Sequence, residues 1–300
     1  MPGTLIILNP TAGGGRAGRL WPRLESRLRQ ALGPFELMRT SRIGEATEIA
    51  ARSDGSHLVV ACGGDGTIHE VANGILSRKE PTSLGILSIG TGGDLIKSLR
   101  IPSDLLGQID VLSKGSEQAI DVGEIHYSTP VGMKRRLFLN IADAGLGADV
   151  LRRLATTRSV FGRRLAYLSA SLEAYRHRQP AKMTVTLDGK KIWEQSTLIA
   201  VVANGRSFGG GMQIAPAADL RDGLFEIVLM QDLPPRWLPV VIPSLYLRQA
   251  HRLPQVKIFR GRKVTLEAEA PVFLDIDGEL EGSLPCEFQI LPDRLKVRIP

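Results

Sequence analysis

The sequence has 300 residues, 43% of them hydrophobic and 23% charged. That balance belongs to a globular protein with a sizeable core, of one or two domains at ~100–200 residues each, and it excludes a disordered tail, a collagen and a long coiled coil. The net charge of +7 suits anionic partners, but aromatic residues make only 5% and no basic-aromatic run appears, which sets sequence-specific nucleic-acid binding aside.

In chain order, Leu5–Leu8 reads as a buried strand. Arg16–Leu32 reads as a helix, with Leu20, Leu24, Leu28 and Leu32 on one face. A short strand at Phe35–Arg39, a helix at Glu45–Arg52 and a buried strand at His57–Ala61 follow. A glycine-rich turn then leads into a helix ending at Leu76, and the strand Leu84–Ile89 leads into another such turn. This β-α-β-α order predicts a mainly parallel sheet with its ligand loops at the C-terminal strand ends. Beyond residue 120 strands dominate: Ile120–His126, Lys134–Ile141, Lys182–Glu194 with a hairpin signal at Asp188-Gly189, Leu198–Ala203, Leu224–Met230, Gln255–Ile258 and Lys263–Ala268. One helical insertion, Ala148–Arg178, interrupts them, and the pattern predicts a β-sandwich-like second domain.

The two cysteines, Cys62 and Cys286, form no disulfide framework and fit a reducing compartment. Met1-Pro2-Gly3-Thr4 carries no basic segment, and Leu5–Leu8 is too short for a signal peptide. The apolar stretch Leu238–Leu247 is broken by Pro239 and Pro243, so no membrane span is expected. The five histidines show no metal-ligand spacing, and no Ser-His-Asp arrangement is legible.

Three glycine clusters follow three of the predicted strands. The first, Asn9-Pro10-Thr11-Ala12-Gly13-Gly14-Gly15-Arg16-Ala17-Gly18, contains a formal G-x-G-x-x-G. No acidic residue ends a second strand at the dinucleotide spacing, and Arg19-Leu20 replaces the Lys-Ser/Thr of a Walker A loop. Backbone N–H groups at a helix start remain able to receive a phosphate there; a plain flexible turn is the alternative. The second, Gly63-Gly64-Asp65-Gly66-Thr67, is the specific one. Its glycines let backbone approach a bulky anion, Asp65 is placed to hold Mg²⁺ or order phosphates, and Thr67 to cap the helix. The third is Gly90-Thr91-Gly92-Gly93-Asp94.

At these residues the chain resembles the diacylglycerol kinase catalytic-domain family, which includes sphingosine kinases and soluble bacterial lipid kinases. The family pattern runs Asn-Pro, then GGDGT-x-x-E/H-V-x-N-G, then GTGND; here these stand as Asn9-Pro10, Gly63–Gly74 and Gly90–Asp94. Gly145–Val150, Asn204-Gly205 with Gly209–Gly211, Ala215-Pro216, Leu220–Leu224 and Asp277-Gly278-Glu279 continue the match in order over nearly the whole chain. Gly93 departs from it, standing where the family has Asn.

The resemblance implies an α/β nucleotide-binding domain with a Rossmann-like, NAD kinase-like parallel sheet over residues 1–121, to which a C-terminal tail, 286–300, returns. It implies a β-sandwich lipid-substrate domain over 122–285. ATP would lie near Asn9, Thr40, Gly63, Gly64, Asp65, Gly66, Thr67, Ile68, His69 and Thr91. Glu279 would be the general base, with Asp277 beside it in the catalytic set. Asp222, with the carbonyls of Asp219 and Leu224, would bind a structural Mg²⁺. From its position where the two predicted domains meet, and not from the resemblance, Asp121 is read as able to help hold the nucleotide metal.

Read from the residues alone, Asp275 and Asp277 share one strand face, and Gly278 breaks the strand so as to aim Glu279. Phosphoryl transfer needs positioning, Mg²⁺ and a group that accepts the hydroxyl proton. The expected substrate is a lipid alcohol at a membrane surface, with a cytoplasmic location peripheral to the inner face; a homodimer stays open. The arginine-rich segment Leu151–Arg178 is read about equally as a lipid-contacting face and as a solvated one, with a slight lean to contact because a lipid kinase without a membrane span must reach the bilayer. Two rivals remain. One is an NAD kinase-type small-molecule kinase, whose Gly-Ser-Thr-Ala-Tyr motif this chain lacks. The other is a non-catalytic nucleotide- or lipid-binding protein, motivated by Gly93.

Overall fold

In a computed structural model, which describes residues 3–90, 92–156, 163–247 and 249–300, the chain divides into two units. The first takes Met1–Asp121 with Pro292–Pro300, and the second takes Val122–Leu291.

The first unit alternates strands and helices: β1 (Thr4–Leu8), α1 (Ala12–Leu32), β2 (Glu36–Arg39), α2 (Glu45–Ala51), β3 (Leu58–Gly63), α3 (Asp65–Leu76), β4 (Ser83–Ser88), α4 (Asp94–Ser98) and α5 (Leu105–Lys114). β1, β3 and β4 are buried at every residue, as strands covered on both faces must be. β1 pairs in parallel with β2 and β3, and β3 pairs in parallel with β4. Leu24 and Leu28 of α1 pack with Trp21 and Phe35 against Ile6, Leu8 and Val60. Gly13–Gly15 all take positive φ, so regular helix begins only at Arg16. At α5, the Asp104 carboxylate caps the Gly107 N–H at 2.8 Å.

The second unit contains β5 (Ser116–Thr129, entering from the first), β6 (Gly132–Phe138), β7 (Ile141–Gly145), α6 (Leu146–Thr156), α7 (Arg163–Arg176), β8 (Ala181–Leu187), β9 (Lys190–Ala203), β10 (Phe225–Gln231), α8 (Leu238–Tyr246), β11 (Val256–Gly261), β12 (Lys263–Ala268), β13 (Phe273–Ile276) and β14 (Glu279–Ile299). Two long strands serve several partners each. β9 pairs with β8 along its first half and with β7 and β10 along its second. β14 pairs with β13 and then β12. Since β12 also pairs with β8 and β13 with β7, the strands β7, β13, β14, β12, β8 and β9 close a circuit. Its interior holds Ala142, Val185, Val202, Leu266, Leu274, Cys286 and a trio of phenylalanines. Phe138 stacks on Phe225 at 5.7 Å and meets Phe288 edge-on at 5.9 Å. The outer face of β7, β9 and β10 carries a separate core, in which Val201, Val228 and Ile199 pack with Tyr175 and Val241.

Three expectations are corrected. The returning tail is shorter: Cys286–Gln289 pair with Lys263–Leu266, with Cys286 and Phe288 inside the second unit's core, so only Pro292–Pro300 joins the first unit. There Lys296 and Val297 run parallel to Ser83 and Leu84. The strand expected over Lys134–Ile141 breaks at Leu139-Asn140, whose N–H groups turn to the Asp277 carboxylate. Asp275 and Asp277 do not share a strand face, because β13 ends at Ile276 and Asp277 takes φ +51° in the turn. The apolar stretch expected not to span a membrane forms α8, with Pro239 in its first turn, where proline is tolerated, and Pro243 inside the helix. Among the described residues no helix is long and apolar enough to cross a membrane.

Candidate active site

In the first unit the three glycine clusters meet at the C-terminal ends of β1, β3 and β4. Parallel pairing brings these ends together. The Asn9 N–H donates to the Cys62 carbonyl at 2.9 Å, and its Nδ2 donates to Thr67 Oγ1 at 3.0 Å. Asn9 Oδ1 in turn accepts from the Thr11 N–H and hydroxyl at 3.1 and 2.8 Å. The Thr40 N–H donates to the Leu8 carbonyl at 2.9 Å, which sets Thr40 beside the same strand end. The Ile89 N–H donates to the Gly63 carbonyl at 2.7 Å, and the Gly93 N–H donates to Asp65 Oδ2 at 3.0 Å. Backbone runs against backbone here: a Cβ on Gly90 would stand 2.8 Å from the Gly64 Cα. One on Gly92 would collide with the Asp65 carboxylate.

The expected nucleotide residues thus divide by role. Asn9, Thr40, Gly63, Gly64, Asp65, Gly66 and Thr67 form or border the apex. The first-turn N–H groups of α3 lack intrahelical acceptors by the geometry of any helix, which suits an anion. Ile68 and His69 point inward, at 1% and 5% exposure, so their side chains belong to the core. Thr91 lies outside the described residues. Asp121 is buried and accepts the Asp293 N–H at 2.9 Å, where it anchors the returning tail.

Gly93 takes φ +62° and ψ +38°, the left-handed region that asparagine also tolerates. The chain therefore keeps the backbone bond to Asp65 and lacks only an amide side chain. A Cβ there would stand 3.2 Å from the end of the flexible Ile96 side chain. Gly93→Asn is expected to keep stability within ~1 kcal/mol of the parent. Thermal unfolding checks this, and a drop of many degrees would show that the turn has no room.

Two supporting residues escaped the sequence reading. Glu70, inside the second motif, accepts the Gly44 and Ala46 N–H groups at 3.0 and 3.2 Å, capping α2 from α3. Gln108, fully buried, accepts the Ser88 N–H at 2.7 Å and fixes the end of β4.

In the second unit the turn between β13 and β14 carries the Asp277-Gly278-Glu279 motif. Asp277 accepts three backbone N–H groups, from Leu139 at 2.7 Å, Asn140 at 3.0 Å and Ile141 at 2.9 Å. Its own N–H donates to the Ile141 carbonyl at 2.9 Å. These bonds let the carboxylate hold the turn. Glu279 is 40% exposed and pairs with Arg136, which also pairs with Glu281. Glu281 accepts the Tyr127 hydroxyl at 2.8 Å. Burial, then Glu281, push the Tyr127 hydroxyl up to about 12. Burial works against the charge of Arg136, but the two glutamates outweigh it and hold the guanidinium above its ordinary value. Arg136, Glu281 and Tyr127 had no signal in the sequence beyond their types.

Asp222 accepts the Leu224 N–H at 3.0 Å and pairs with Arg260; Asp219 accepts the Arg221 N–H at 3.2 Å. Among the described residues no three His, Cys, Asp or Glu side chains converge as a metal cage. The donor chemistry still suits a hard divalent cation: Asp222 already holds a cationic partner, and the buried Oε2 of nearby Glu226 has no hydrogen bond. Of the basic helical insertion, Arg152 pairs with Asp149, Arg153 with Glu173 and Arg178 with Asp232. Arg158 and the side chains of Arg163 and Arg164 lie outside the described residues.

An α/β unit with a glycine-packed apex, followed by a β-rich unit with an acidic hairpin, defines a two-unit kinase fold. The diacylglycerol kinase catalytic domain matches residues 3–125, and the YegS C-terminal NAD kinase beta sandwich-like domain matches residues 140–299. The chain belongs to the diacylglycerol kinase catalytic-domain family, with a YegS-type C-terminal domain. It is 27% identical to a diacylglycerol kinase of Staphylococcus saprophyticus over 98% of this chain and 94% of that one. It is 28% identical to one of Staphylococcus epidermidis, over 98% and 91%. A crystal structure of a diacylglycerol kinase from Bacillus anthracis shares the fold at a TM-score of 0.74 and 19% identity, covering 99% of this chain and 96% of that one. The yeast NADH kinase complexed with NADH matches more loosely, at a TM-score of 0.52 and 12% identity, covering 98% and 82%.

Proposed function

We propose that the chain is a lipid kinase that transfers the γ-phosphate of ATP to the free hydroxyl of a diacylglycerol-like lipid. The observation that carries this reading is the apex at β1, β3 and β4, where the Gly90 backbone lies so close to Gly64 that Gly90 has no room for a Cβ. Bare backbone there lets a triphosphate approach N–H groups directly. Asn9 and Thr67 hold the turns in register, and Asp65 puts a carboxylate beside the phosphates. Magnesium bound with the nucleotide supplies charge neutralisation on the phosphates.

Glu279 is the group assigned to take the acceptor hydroxyl's proton. Its charge-assisted bond to Arg136 fixes the side chain. Asp277 keeps the turn in shape through the Leu139–Ile141 N–H groups. The test is transfer of labelled phosphate from ATP to diacylglycerol in mixed vesicles, with NAD as a parallel acceptor. Labelled lipid supports the reading. Labelled NAD alone moves the chain to the small-molecule kinases, and nucleotide binding without transfer makes it a binding protein.

A structural magnesium ion would be held by the Asp222 carboxylate with the carbonyls of Asp219 and Leu224, in place of the Arg260 guanidinium. Melting of the full chain should then rise when Mg²⁺ replaces EDTA, by roughly 2–4 °C per kcal/mol of binding. Asp222→Ala should abolish that rise. Equal melting with and without Mg²⁺ would remove the ion from this site.

A further inference from the structure

Two buried carboxyl groups lie behind the Glu279 turn, and the reading above gives neither a task. Asp143 of β7 and Asp275 of β13 are register partners in the antiparallel ladder, so their side chains leave the same face. Directly opposed residues place their Cβ atoms ~4.5–5.5 Å apart. Asp143 is 1% exposed and Asp275 is 7% exposed. The row across the sheet runs Val201, Asp143, Asp275, Leu280, so only apolar side chains flank the pair within it.

Each acid also touches a structural element. A Cβ on Gly147 would overlap the Asp143 carboxylate, so this glycine lets the acid tuck under the first turn of α6. Neither Asp143 oxygen makes a well-formed hydrogen bond. Asp275 Oδ1 accepts the Gly278 N–H at 2.7 Å and thereby ties down the residue before Glu279.

The geometry points to Asp143 and Asp275 as a pair that shares one proton and acts as the positioning device for the Glu279 turn. Two unscreened carboxylates at this spacing cannot both stay ionised in a buried site. A shared proton turns their repulsion into a hydrogen bond, and Asp275 stays aligned to receive the Gly278 N–H. This inference deepens the lipid-kinase reading and rests on it for the role of Glu279.

The charged surroundings agree. Burial, then the charge of Asp275, push Asp143 well above the ordinary carboxylate range, while the Ala148 and Gly147 N–H groups oppose this and Asp149 adds to it. Burial raises Asp275 to about 7; the Gly278 N–H opposes that, Asp277 and Glu279 add to it, and Arg136 opposes it. From α6, the Asp149 charge is partly balanced by Arg152, its partner at 2.8 Å. The two groups titrate as a pair, with values that belong to neither alone.

The sign of the linkage follows. Acids held above their unfolded range bind more protons in the folded state, so their contribution falls as pH rises from the ordinary carboxylate range through about 7. Loss of the shared proton then forces the two charges apart and releases the turn.

The test is melting of the full chain between pH 5 and pH 9, for the parent, Asp143→Asn and Asp275→Asn, with kcat profiles alongside. An asparagine amide reproduces the protonated partner without titrating. Asp143→Asn should melt higher than the parent at pH 8 by roughly 2–4 °C or more, with the gap closing toward pH 5. Its kcat should lose the alkaline decline of the parent while the nucleotide KM stays put. If Asp143→Asn does not fold, Asp275→Asn carries the same melting comparison, and failure of both to fold overturns the proposal. A parent and variant that lose melting temperature in parallel from pH 5 to pH 9 also overturn it. Melting needs no substrate, so a chain that phosphorylates no lipid but shows the pH-dependent gap defeats the kinase reading and leaves the pair standing.

Discussion

Glu279→Gln is expected to lower phosphoryl transfer by about 10²–10⁴-fold while the fold survives. The size follows from what the change removes. An amide keeps the shape of the side chain and still accepts from Arg136, but it cannot take a proton from an alcohol. Stability should move little, because Glu279 is 40% exposed and Arg136 keeps Glu281 as its second partner. Steady-state rates with a diacylglycerol acceptor, set beside a melting curve, check both halves. Glu281→Gln is the useful companion, since Glu281 is bound to Arg136 and Tyr127 together and has no assigned proton to take. A Glu279→Gln protein that turns over within threefold of the parent would take this residue out of the chemistry.

Asp277→Ala carries the second large effect, and it is one of stability. The change strips acceptors from the Leu139, Asn140 and Ile141 N–H groups at once, and Leu139 and Ile141 are buried. An orphaned buried N–H costs about 1–3 kcal/mol, and alanine adds strain at φ +51°. With partial rescue by water at Asn140, the loss should be ~3 kcal/mol, or roughly 6–12 °C of melting temperature. Asp277→Asn keeps one acceptor oxygen and tolerates the left-handed backbone, so it should fall between parent and alanine. If Asp277→Ala melts with the parent, the three bonds do not hold the turn.

The first unit was legible because its signals are local. β1, β3 and β4 are unbroken buried runs, and a glycine cluster follows each where a parallel sheet needs its loops. The second unit was harder, because its decisive bonds join residues far apart. Nothing around Leu139-Asn140 announces a break; it exists because Asp277 arrives from 136–138 residues away. Reading Asp275 and Asp277 as one strand face failed for the same reason. Glu70 was visible as a motif position, but its work on α2 depends on how α2 and α3 pack. Asp143 did leave a trace, a lone acid in an otherwise apolar run, and such a trace tells nothing until its partner across the ladder is known.

The strand that returns at Pro292–Pro300 bears on how this protein is made. During synthesis, the segment that pairs with β4 emerges only after the whole of the second unit, so the first unit cannot close its sheet until the second has been made. A truncated fragment ending near residue 125 would bare the β4 edge and leave the sites of Leu295 and Val297 unfilled. Exposed edges of that kind recruit strands from other chains. Such a fragment should aggregate on expression, and adding residues 292–300 back in trans or by circular permutation should restore a dispersed protein.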